Sequence, residues 1–89
     1  MADTNFRIQP QYLLTFGGKR YLIYGGRVSI DKGQDGPLET ILEGSEEEAG
    51  VLWHLSEIDP RFFHELRRLE YFSFNTARAL AKVEMAHER

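Results

Sequence analysis

A chain of 89 residues with 42% hydrophobic residues and a net charge of -3 has the size of a single domain with a thin apolar core. The absence of cysteine excludes a disulfide framework and any thiolate metal site. No run approaches the roughly 20 apolar residues of a membrane span, and the polar, acidic start Met1-Ala2-Asp3-Thr4-Asn5 is unlike a secretory leader, so a cytoplasmic protein is expected.

Residues 1–10 read as an N-terminal arm. Gln11–Phe16 and Lys19–Tyr24 are apolar, aromatic-rich runs separated by Gly17-Gly18. Two glycines between two such runs signal a tight hairpin, because primed turns need positive φ. Gly25-Gly26 repeats the signal before Arg27-Val28-Ser29-Ile30, where Val28 and Ile30 alternate with polar neighbours. Asp31–Pro37 has the composition of a loop, and Leu38–Glu43 reads as a fourth strand.

Residues 45–58 admit two readings. Ser45 and Glu48 have capping-box spacing, which would open a helix to about Ile58. Against this, Gly50 weakens a short helix, and Val51, Trp53 and Leu55 alternate with Leu52, His54 and Ser56. The alternation favours an acidic hairpin loop over 44–50 followed by a fifth strand, making residues 11–58 a β-meander. Asp59-Pro60 is the clearest helix start, with aspartate as cap and proline at the first helical position. Phe62, Leu66, Leu69, Thr76, Leu80 and Val83 then follow helical spacing, and no glycine or proline interrupts residues 61–89. A long C-terminal helix is expected, with a kink near Ser73–Asn75, where side chains compete for backbone hydrogen bonds. The fold class is therefore α+β: an antiparallel sheet of four to five strands with the helix packed on it. The expected core is Leu14, Tyr21, Ile23, Val28, Leu42, Trp53, Phe62, Leu66, Leu69 and Leu80.

The charge layout is uneven. Residues 31–59 carry nine acidic residues against Lys32, whereas the segments on either side are net basic. Glu46-Glu47-Glu48-Ala49-Gly50-Val51 resembles the end of a Nudix box, whose carboxylates hold a metal on a diphosphate. However, Glu43-Gly44 replaces its Arg-Glu pair, and Ser29 stands where its leading glycine belongs. His54, His64 and His87 lack the spacing of helical metal ligands, and no serine sits in a nucleophile elbow. No enzyme and no cofactor is expected.

Eleven aromatics are many for this length. On the C-terminal helix Phe63, Tyr71 and Phe74 fall off the apolar face, beside Arg67, Arg68 and Arg78. Aromatic and arginine side chains together are characteristic of protein-interface hot spots. The expected function is a non-enzymatic protein-binding module, an inhibitor, adaptor or regulator of a kind common among phage and mobile elements. Its expected contacts are this helical surface and the exposed acidic residues Glu46, Glu47 and Glu48. The same aromatics admit a homodimer through Phe63, Tyr71 and Phe74.

The run Phe16-Gly17-Gly18-Lys19-Arg20-Tyr21-Leu22-Ile23-Tyr24 resembles the first strands of small bacterial and phage Rad52-like annealing proteins, and Leu38-Glu39-Thr40 and the Ser45–Gly50 turn are similar as well. The resemblance implies an alternative function, the binding of single-stranded nucleic acid, without assigning binding residues. The acidic centre departs from a DNA-binding groove.

Overall fold

The computed structural model describes residues 11–33 and 36–88; the N-terminal arm lies outside them. Three strands follow the glycine punctuation: β1 (Gln11–Phe16), β2 (Lys19–Tyr24) and β3 (Arg27–Ile30). Both turns have positive φ at each glycine, 61° and 79° at Gly17-Gly18 and 56° and 81° at Gly25-Gly26. This is the primed geometry that matches strand twist. Gly26 has a second reason to lack a side chain: a Cβ there would sit 2.5 Å from the Tyr71 carbonyl oxygen.

The fourth strand is shorter than expected. β4 is only Glu39–Thr40, hydrogen-bonded to β3, and the sheet order is β1-β2-β3-β4, antiparallel throughout. Leu42 is 77% exposed, not a core residue, because the chain leaves the sheet before reaching it.

Residues 46–58 are a helix, not a fifth strand. In α1 (Glu46–Ile58) Ser45 is the N-cap, and its Oγ accepts the Glu48 N–H at 3.1 Å. Glu46 and Glu47 lie in the first turn, where the helix dipole favours negative charge. The buried residues are Glu48, Ala49, Val51, Leu52 and Leu55, one face of a helix at spacings of three and four. The alternation at 51–55 is a by-product of this spacing, and Trp53 is only half-buried.

The C-terminal segment is two helices. α2 (Pro60–Arg68) starts at Asp59, whose carboxylate accepts the Phe62 N–H at 3.2 Å. It ends at Glu70, whose φ of 61° is left-handed. The Tyr71 N–H donates to the Leu66 carbonyl and the Glu70 N–H to the Arg67 carbonyl, the pair of hydrogen bonds of a Schellman motif. α3 (Phe74–His87) opens on Ser73, whose Oγ accepts the Thr76 N–H at 3.1 Å. Leu69, expected in the core, is exposed at the end of α2.

The helices cover one face of the sheet. Cross-strand rows Tyr12–Ile23–Val28 and Leu14–Tyr21–Ile30 face them. Val51, Leu52, Leu55, Phe63, Leu66 and Leu80 complete the core, with Phe62 packed at its margin. The opposite face carries Leu13, Leu22 and Tyr24. Among the described residues, no helix is long and apolar enough to cross a membrane.

Candidate functional site

The packing of α1 on α3 is fixed by a buried polar cluster. Glu48 is 0% exposed, and its Oε1 accepts both the Gly44 N–H and the Thr76 hydroxyl, at 2.8 and 2.9 Å. The Ser73 hydroxyl donates to Thr76 Oγ1 at 3.1 Å. The first turns of two helices are thus joined through Thr76 and Glu48, each of which is hydrogen-bonded to its own cap serine. The third carboxylate of the acidic run is a core strut, and the expectation that it is a partner contact is corrected. Of its neighbours, Glu47 accepts the Tyr21 hydroxyl at 2.9 Å and faces Lys19 at 3.8 Å. Burial, with the Glu47 hydrogen bond second, pushes the Tyr21 phenol up to about 12. Glu46 remains exposed.

The aromatic–arginine surface is largely dissolved. Phe63 is 2% exposed and belongs to the core, because the turn after Asp59 points the Phe63–Leu66 side of α2 inward. Tyr71 is half-buried against the core. A homodimer built on Phe63, Tyr71 and Phe74 therefore lacks its first contact. Arg67 lies over the Phe63 ring and pairs with Glu84 at 2.7 Å; Arg68 pairs with Glu65 at 2.6 Å on its own helix. Phe74 is different: it is 75% exposed at the start of α3, with the Arg78 guanidinium 5.6 Å from its ring centre.

Beside this pair runs a groove of about 670 Å³ between the start of α1 and the outer face of α3. Its floor is apolar and small, made by Ala49, Ala79, Val83 and Ala86. Glu43 and Glu46 form one rim, and Arg78 and Lys82 the other. Glu46 and Arg78, from two separate expected patches, are thus brought to one site. Lys82 and the alanine floor were missed in the sequence. Their signal was the spacing Asn75, Ala79, Lys82, Ala86, one face of a helix. A second depression, about 660 Å³, lies on the open sheet face between Leu22, Tyr24, Arg27 and Leu38.

No protein-family model, curated protein or solved structure matches this chain.

The histidines each lie beside a ring: His54 on Phe16, His64 on Phe63 and His87 on Trp53. Among the described residues, no three His, Cys, Asp or Glu side chains cluster to hold a metal.

Proposed function

We propose that this chain is a non-enzymatic protein-binding module, an adaptor, inhibitor or regulator, whose α1–α3 groove receives a segment of another protein. The supporting observation is the groove itself, an apolar floor between rims of opposite charge, flanked by the exposed Phe74 and its arginine. Small floor residues let a partner helix approach closely. Opposed rims orient a segment that carries both signs and steer its approach. An exposed aromatic beside arginine supplies the anchor that interface energetics favour.

Single-stranded nucleic acid suits the site less well, because a phosphate chain drawn to Arg78 and Lys82 would meet Glu43 and Glu46 across the groove. Elsewhere Lys19, Arg20, Lys32, Arg67 and Arg68 are already paired with carboxylates.

The test uses three immobilised forms of the chain: wild type, Glu43→Lys/Glu46→Lys and Arg78→Glu/Lys82→Glu. Proteins they retain are compared after circular dichroism has shown that all three fold alike. The reading expects one protein retained by wild type and lost from both variants. Retention unchanged by both charge reversals overturns it.

A further inference from the structure

Among the described residues, nothing pairs with the outer edge of β1. β1 is the terminal strand of the sheet, and its six residues, Gln11 to Phe16, contain no charge and no proline. Its register with β2 is continuous, without a bulge. Sheet edges are ordinarily blunted by charges, prolines, bulges or brevity. The opposite edge follows that rule: β4 has two residues, and Glu39 there pairs with Lys32 at 3.0 Å.

The hairpin geometry says which backbone groups face outward. Phe16 and Lys19 close a two-residue turn and form a hydrogen-bonded pair. Alternation then directs the N–H and C=O groups of Phe16, Leu14 and Tyr12 into β2, and those of Gln11, Leu13 and Thr15 away from it. Among the described residues, none of these three makes a backbone hydrogen bond to another element. The helical layer leaves this edge open, since Tyr12 is half-buried and Phe16 is 37% exposed. Leu13, at the strand's centre, is 51% exposed on the bare sheet face.

We propose that β1 pairs antiparallel with β1 of a second copy of this chain, joining two sheets edge to edge about a two-fold axis at Leu13. Symmetry and hydrogen bonding select this register. Outward-facing residues must oppose one another, and only the arrangement with Leu13 opposite Leu13 and Gln11 opposite Thr15 uses all three of them, exchanging about six bonds. Both helical layers then lie on the same side of the joined sheet. No charge meets its like along the strand, and two exposed leucines cover each other.

The chain contains no cysteine, so single cysteines report the register cleanly. Opposed residues of a hydrogen-bonded pair have Cα atoms about 5.5 Å apart, within disulfide reach. Leu13→Cys is therefore expected to form a disulfide dimer on mild oxidation at low concentration. Thr15→Cys alone is not, because its symmetry mates lie about 13 Å apart along the strands. A mixture of Gln11→Cys and Thr15→Cys chains is expected to cross-link. In sedimentation, wild type should dimerise as its concentration rises. Leu13→Lys, which sets like charges on the axis, should weaken the dimer at least about tenfold with an unchanged monomer fold. Three results overturn the proposal: a wild type that stays monomeric, which would leave the edge to an extended segment of another protein; cross-linking of Thr15→Cys as fast as Leu13→Cys; or a dimer indifferent to Leu13→Lys.

Discussion

Glu46, Glu47 and Glu48 are adjacent in sequence and share little else. The first is exposed on a groove rim, the second holds a buried phenol, and the third is sealed in the core. A helix separates neighbouring side chains by about 100°, so a run of like residues disperses over its circumference. The capping-box spacing of Ser45 and Glu48 was visible in the chain. The hydroxyl that meets the carboxylate, Thr76, lies 28 positions further on, and no local pattern links them. Tyr21 carries the residue-scale prediction. Its phenol ionises near 12 in the folded chain against 10.0 for the free side chain, so the fold favours the neutral form. That contribution is complete below pH 10 and is lost as pH rises from 10 to about 12. An alkaline titration followed by phenolate absorbance should show a late step. Tyr21→Phe should remove most of it, leaving a remainder from Tyr12, which burial and the nearby Asp59 carboxylate also push up. An undiminished late step in that variant would refute the assignment.

The elements were legible in proportion to their punctuation. Paired glycines marked both hairpins and Asp59-Pro60 marked the start of α2. The end of α2 had no such sign, because Glu70 occupies the left-handed position where glycine is usual. The pattern therefore predicts one long helix, and Ser73, at the expected kink, is instead the cap of a new helix. At 45–58 a short apolar run fitted both periods, and the acidic cap decided for the helix. Glu70→Gly should relieve the left-handed strain and stabilise the chain by up to about 1 kcal/mol, after the extra entropy of an unfolded glycine. For a domain of this size that is a rise in Tm of about 4–8 °C per kcal/mol in thermal denaturation. A fall would show that the glutamate side chain supports the fold more than its backbone strains it.

At the scale of the molecule, the described residues seal one side of a single sheet, and the core is correspondingly thin. Leu66 lies at the centre of that core, fully buried where α2 packs. Leu66→Ala should cost about 2–5 kcal/mol, a large part of the roughly 5–10 kcal/mol available to such a domain. Denaturant titration would read this as a much lower midpoint, and an unchanged midpoint would remove Leu66 from the core. The groove was the least legible feature, because its rims are Glu43 and Glu46 on one side and Arg78 and Lys82 on the other. Only the docking of α1 on α3 makes them neighbours.

Every strand pairs with its neighbour in the chain, and two of the three connections are two-residue turns. Closing loops that short costs little entropy, and hairpins form within roughly 1–10 μs. Translation is far slower, at about 5–20 residues per second. The meander can therefore pair as soon as Thr40 has emerged from the ribosome, on the order of seconds before the helices that follow it. During that interval Leu14, Tyr21, Ile23 and Val28 have no helical layer above them. The nascent sheet is a two-faced apolar surface at its most exposed, open to chaperones and to neighbouring chains on the same message.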